Sequence, residues 1–367
     1  MTAGAATAPR SPYFVGPAVD FVMMGGLSLA VLPLMDIGQR YLKTEQISMA
    51  VIALWWVCNW PHFSATNYRL YHSRANVAQY PVTAFATPVL VAMMTVGAFL
   101  SPEAIAPYFV KLMVIWSAYH FGGQTLGLTM IYARRSGIAV GSLERRTLLY
   151  FIMATFLARL AGDEGGIGTR FYFGVAHPRL GVPEWLAPAF VLAALACGAL
   201  FVGRVVIACV KAKRAPPAIV FVPLLSYFVW FIPGRRTEYY YAFVPVFHSL
   251  QYLLIAWAMQ LKEKLDIEKI TPSRSYVLRE SARWGAINVV GGALLFFVLP
   301  RITSLTGATQ KFSFAIIATA IQVHHFFVDG VIWKLQNPKV SSPLLVQLSD
   351  LVRPRAEPAP ALEQKAA

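Results

Sequence analysis

Long apolar runs separated by short polar or basic stretches dominate the hydrophobic pattern of this chain. A helix that crosses the hydrocarbon core needs about 20 mostly apolar residues. Ten segments read as spans: 15–35, 47–68, 82–100, 104–132, 147–161, 186–210, 217–232, 238–261, 284–300 and 312–334. The fifth, seventh and ninth are the short ones. Pro33, Pro61, Pro88, Pro223 and Pro245 fall inside these runs. A bundle accommodates such prolines as kinks, because neighbouring helices re-satisfy the freed carbonyls. The pattern predicts an all-α, polytopic transmembrane helix bundle of about ten spans. The expected organisation is a cytoplasmic tail over 1–13, a membrane domain over 14–335, and a polar, Pro-rich, disordered cytoplasmic tail over 336–367. No separate soluble domain and no internal repeat is visible.

Composition agrees with this pattern. Of 367 residues, 57% are apolar and 13% charged, about half the charged share of a soluble domain, and mean hydropathy is +0.55. Intrinsic disorder, a disulfide scaffold and a coiled coil are excluded. The net charge of +15 does not point to nucleic acid, since basic residues of a membrane protein collect in cytoplasmic loops beside anionic lipid. With the N-terminus placed inside, 21 of the 32 Lys and Arg fall in cytoplasmic segments and 9 outside. Lys111 and Arg204 lie within spans. That bias predicts both termini on the cytoplasmic side of a bacterial-type inner membrane. The N-terminus lacks the basic and apolar succession of a signal peptide, so the first span is expected to act as its own insertion signal. Cys58, Cys197 and Cys209 lie in apolar stretches with no C-x-x-C spacing, as buried reduced thiols do.

The histidines carry the candidate chemistry. Five of the seven fall in spans: His62, His120, His248, His324 and His325. They occupy the second, fourth, eighth and tenth spans, all of which run outside to inside in this topology. At a ~1.5 Å rise per residue their depths agree within ~9 Å. Four parallel helices would therefore deliver imidazoles to one layer, where ionisable groups normally face a cavity or one another. A polar residue follows each at i+4, on the same helix face: Thr66 after His62, Gln124 after His120, Tyr252 after His248 and Asp329 after His325. Metal-bound imidazole usually gives its second N–H to such a partner. Three or four histidines suit Fe(II), Zn or Cu. Burial in lipid points to a lipid-soluble small molecule as substrate, with aromatics such as Trp60, Trp116, Tyr119, Phe121, Phe247 and Phe326 available to wall an apolar slot.

Other ionisable residues read as less central. His72 belongs to a basic loop at the interface, and His177 in the external loop 161–185 reads as incidental. Asp20 is expected to face the bundle or the cytoplasmic interface, Lys111 to snorkel, and Glu238 to form a surface ion pair with Arg235 and Arg236. No Walker loop, dinucleotide Gly motif, G-x-S-x-G or C-x-x-C-H is present.

The histidine-bearing segments WPHFSAT (60–66), YHFGGQT (119–125), FHSLQY (247–252) and VHHFFVD (323–329) resemble, in order, four motifs of the Brp/Blh family of bacterial integral-membrane β-carotene 15,15'-dioxygenases. The matches are Pro61-His62, His120-Phe121-Gly122, His248-Ser249, and His324 with Asp329 five on. They cover about 25 residues in four islands. Phe63, Thr66 and Tyr252 stand where the family pattern has Gly, Asp and a second His. The resemblance implies a histidine-held non-haem iron that cleaves a polyene with O2. On this reading His62, His120, His248 and one of His324 and His325 are the ligands. Asp329 and Gln124 orient imidazoles, and Tyr252 hydrogen-bonds bound oxygen. No reductase site is visible, and an electron-donor partner is not identified. Haem b with axial His pairs is the second reading, and a proton-coupled transporter with Asp329 in a relay is the third. A His-box desaturase lacks its HxxxH and HxxHH spacings.

Overall fold

A computed structural model describes residues 11–38, 41–237, 239–268 and 273–333. The predicted tails, apart from 11–13, and the predicted Glu238 ion pair lie outside the described residues. Ten long helices occupy the ten predicted segments. They are α1 (Pro17–Gly38), α2 (44–71), α3 (Val82–Leu100), α4 (Ala106–Arg135), α5 (Ser142–Asp163), α6 (Leu186–Lys211), α7 (Ala218–Arg236), α8 (Tyr240–Glu268), α9 (Arg274–Ser304) and α10 (Gln310–Ile332). The fifth and ninth run longer at both ends than the apolar pattern suggests.

Seven of the ten are long and apolar enough to cross a membrane; α2, α4 and α5 fall short of that measure. The shortfall has a physical reason: these helices turn polar side chains inward. His62, Ser64 and Thr66 on α2, Lys111, Thr125 and Thr129 on α4, and Thr155 and Arg159 on α5 are all buried. The outward faces are apolar. Val82, Phe85, Val89, Met93 and Val96 run along α3 at helical spacing and are all exposed, as lipid contact requires. Burial also sorts the helices. The apolar windows of α8 and α10 are 72% buried, against 22% for α3, α6 and α9, so α8 and α10 are central. α10 packs on α2, α3 and α4, while α8 packs on α1, α2 and α9.

Four helices contain one widened π-type turn each: 22–26, 55–59, 82–86 and 294–298. In α1 this turn is a kink at Gly25, whose φ is +140° and whose missing Cβ would strike Ser226 of α7. Another close approach locks α9 to α2. A Cβ on Gly292 would lie 2.6 Å from the Trp60 carbonyl carbon and 2.8 Å from the Pro61 nitrogen.

The chain is not wholly α. Thr169–Tyr172 (β1) and Val175–Pro178 (β2) form an antiparallel hairpin with Arg170 opposite His177. Its two-residue turn has positive φ at Phe173 (45°) and Gly174 (87°), the backbone that matches strand twist in tight hairpins. One further sequence expectation needs correction. Lys111 does not snorkel: it is buried and donates to Glu164 Oε2 at 2.6 Å. His177, in the predicted external loop, is part of β2 and is buried, at 3% exposure. Asp20 faces inward. It accepts the N–H groups of Phe14, Val15 and Gly16 and bonds Tyr132 Oη at 2.9 Å, closing the start of α1.

Candidate metal centre

The structure brings His62 (α2), His120 (α4), His248 (α8) and His325 (α10) together, with one ligand nitrogen from each within 4.8 Å of all the others. Local sequence explains each placement. On α2 the widened turn 55–59 ends just before Pro61-His62; such turns re-aim the side chains beyond them. On α4, Gly122 allows a close helix approach. A Cβ there would stand 2.7 Å from Ile152 and 3.0 Å from Tyr227. The next ring, Phe121, stacks on His248 with centroids 4.1 Å apart. On α8, Ser249 Oγ donates to the Pro245 carbonyl one turn earlier at 2.7 Å.

That serine proton fixes a tautomer. Ser249 Oγ also lies 3.1 Å from His62 Nδ1. With its one proton given to the Pro245 carbonyl or to Asn59 Oδ1, Ser249 accepts from His62 Nδ1–H. The lone pair of His62 then sits on Nε2. Thr66 acts in the same way on His325, whose Nδ1 is 2.9 Å from Thr66 Oγ1. Thr66 Oγ1 is also 2.6 Å from Tyr252 Oη and 3.2 Å from Asp329 Oδ1.

Three Nε2 atoms converge as a result. His325 Nε2 is 3.0 Å from His62 Nε2 and 3.1 Å from His120 Nε2. One imidazole nitrogen has a single proton or a single lone pair, so His325 Nε2 cannot satisfy both neighbours by hydrogen bonding. His248 is more exposed as a problem in energy terms: it is 1% solvent-accessible, and neither ring nitrogen has a hydrogen-bond partner. Buried polar atoms without partners are rare and costly. A cation at the convergence point would take up all four lone pairs. Nitrogens sharing one ion at ~2.0–2.1 Å stand about 3 Å apart, as His325 Nε2 does from the Nε2 atoms of His62 and His120. The donor set therefore fits a metal ion.

Not every expected residue joins the cluster as anticipated. His324 is outside it, with its ring 6.5 Å from Tyr71 in a parallel arrangement. Gln124 does not orient an imidazole. It donates to the His248 carbonyl at 3.0 Å and to Gln251 Oε1 at 2.9 Å, and Gln251 in turn donates to the Met24 carbonyl at the α1 kink. Gln124 thus ties α4 to α8 through backbone. Asp329 is not behind its imidazole but in front of it. Its Oδ2 is 3.4 Å from His325 Nε2 and 3.8 Å from His120 Nε2, on the side where the nitrogens meet. Tyr252 packs edge-on to His62 at 4.8 Å and reaches the cluster through Thr66. Ser249 and Asn59, which bonds Ser249 at 3.0 Å, were not anticipated as orienting residues. The only sequence signal for Ser249 was its place in the His248-Ser249 pair.

A cavity of about 380 Å³ opens beside His120 and Asp329, between α4 and α10 with α8 behind. Gly123, Gly127 and Gly330 border it, and a Cβ on any of them would meet nothing within 4 Å. Trp116, Tyr252 and Trp333 supply apolar wall.

Fold and site together define a class: a multi-pass helical membrane protein with a buried cluster of four histidines beside an apolar cavity. No protein-family model, no curated protein and no solved structure matches the chain.

Proposed function

We propose that this protein is a membrane-embedded, histidine-ligated non-haem metal oxidoreductase that acts with O2 on an apolar polyene or lipid. The observation that carries the reading is the convergence of His62, His120 and His325 with the partnerless His248. Nitrogen-rich sites suit iron, copper and zinc alike; iron is preferred because the four motif islands resemble the Brp/Blh dioxygenases. Bound Fe(II) would supply oxygen binding and redox chemistry that no side chain provides.

The chain's own residues do the rest. Ser249 and Thr66 hold His62 and His325 with Nε2 free. Asp329 places a carboxylate oxygen beside two of those nitrogens, where it balances cationic charge or accepts a proton. The 380 Å³ cavity takes the reacting segment of a long apolar chain against Trp116, Tyr252 and Trp333. Its border is exposed at Tyr119, Gly123 and Gly330, so a substrate dissolved in lipid can approach sideways between α4 and α10. His325 Nε2 lies 3.0 Å from His62 Nε2 and 3.1 Å from His120 Nε2, which leaves no slot for a flat macrocycle between His325 and either neighbour and favours a bare ion over haem b. A proton-coupled carrier would need more intramembrane carboxylates than Asp329 beside the cluster.

We further propose that all ten long helices span the membrane, with α2, α4 and α5 carrying their polar residues inward, and that both termini face the cytoplasm of a bacterial-type inner membrane.

The test is turnover. Iron-loaded protein in lipid nanodiscs is offered β-carotene and a polyunsaturated lipid, with oxygen uptake and substrate loss followed together. The expected result is equimolar loss of O2 and one of these substrates. It should be abolished by Gly127→Leu, which fills the cavity, while iron stays bound. Turnover that survives Gly127→Leu, or no oxygen uptake with either substrate, contradicts the proposed reaction.

A further inference from the structure

A second cavity, of about 510 Å³, lies at the hairpin end of the bundle, apart from the histidine cluster. Its wall is basic. Arg159 on α5, Arg170 on β1 and Arg235 on α7 all line it and converge on one carboxylate, Asp163. Asp163 Oδ2 is 3.3 Å from Arg159 Nε. Asp163 Oδ1 is 3.4 Å from Arg235 Nη2 and 3.7 Å from Arg170 Nη1. The neighbouring carboxylate, Glu164, is committed to Lys111 at 2.6 Å and to the Leu180 N–H at 3.2 Å. Three guanidiniums thus share one negative charge, an excess of two positive charges.

Two buried groups at this cavity have bonding capacity left over. Arg159 is 6% exposed; its Nη2 donates to Tyr241 Oη, and its Nε is held to Asp163 as an ion pair without hydrogen-bond geometry. His177, at 3% exposure, lines the cavity with an Nδ1 that has no partner. Burial, with Lys111 close by, pushes this imidazole below its usual range, and its unpartnered nitrogen can donate to a ligand oxygen or accept from one that carries a proton. Leaving such groups unanswered is costly. The mouth is open, with the Arg170 and Arg235 side chains 39% and 32% exposed.

We propose that this cavity binds a phosphate group, gripped by Arg159, Arg170 and Arg235 with His177 as a further donor. The planar guanidinium fork matches phosphate oxygens two at a time. A dianion cancels the excess of two charges, which a carboxylate would halve. The site is independent of the metal centre and needs no ion there.

The probes are inorganic phosphate and short-chain phosphatidic acid, with uncharged diacylglycerol as control. Each is titrated at constant ionic strength into the detergent-purified full chain. Binding is read by calorimetry and thermal shift. Saturable one-site binding of either phosphate compound, and none of diacylglycerol, is expected. Tighter inorganic phosphate identifies a soluble oxyanion; tighter phosphatidic acid identifies a lipid headgroup. Arg170→Gln should weaken binding roughly tenfold, the effect of one charge-assisted contact. Asp163→Asn should tighten it by a similar factor, because it removes the internal competitor. The half-exposed Arg170 variant keeps the test sharp if Asp163→Asn does not fold. Absence of saturable binding, or an affinity that ignores Arg170→Gln, overturns the assignment.

Discussion

His324 and His325 are adjacent in sequence, and a helix turns about 100° per residue, so only one of them can face the bundle centre. His325 does, fully buried among the other three imidazoles. The i+4 rule put Thr66 on the wrong ring. Thr66 was expected behind His62, yet its hydroxyl reaches across to His325, while His62 leans on Ser249 from α8. Spacing along one helix cannot show a hydrogen bond that crosses between helices, which is why Gln124 also took a different role. Thr66→Val keeps the volume near Tyr252 but removes the acceptor for His325 Nδ1. Metal affinity should fall about 10- to 100-fold while the protein still inserts and folds, as titration with a competing chelator will show. An unchanged affinity would mean that Thr66 does not orient the ring.

At the scale of elements, the ten helical segments were legible from the apolar runs alone. Their true ends were less so, because α5 and α9 continue into polar sequence beyond them. The hairpin was invisible: eight strand residues in a Gly-rich loop give too short an alternation to compete with the helical signal. The widened turns were equally hidden, since π-type backbone has no period in an apolar segment, and the one at 55–59 lies directly before the Trp60–Tyr71 helix that carries His62. The α2–α9 contact is a tight one. Gly292→Ala would push a methyl into the Trp60–Pro61 backbone, which cannot move as a side chain can. Overpacking of this sort costs about 1–3 kcal/mol. Because the displaced backbone adjoins His62, bound metal should drop along with the melting temperature in detergent. A variant that melts lower but keeps its full metal content would separate this packing contact from the site.

Across the whole molecule, the sequence logic works by contrast between faces. α2 and α4 look too polar to span because their polar residues are the site and its supports. The same residues that reveal the chemistry therefore mask the topology. Matching depth of histidines in four helices was readable from helix geometry and charge bias, and the four do meet. Ten spans imply that the two ends of the chain lie on the same side. Single cysteines placed at Ser11 and Ala366, in a background lacking Cys58, Cys197 and Cys209, should both be labelled by a membrane-impermeant thiol reagent only in inside-out vesicles. Labelling of one end from each side would require an odd number of spans.

The central claim is that four histidines from four helices hold one metal ion. It is tested most directly by elemental mass spectrometry on detergent-purified protein, wild type beside His120→Ala, with an absorption spectrum of each. The account predicts about one iron per chain in the wild type, lost in the variant, and no Soret band. Iron with a Soret band, metal content unaltered by His120→Ala, or a metal-free wild type that takes up no added iron would contradict it.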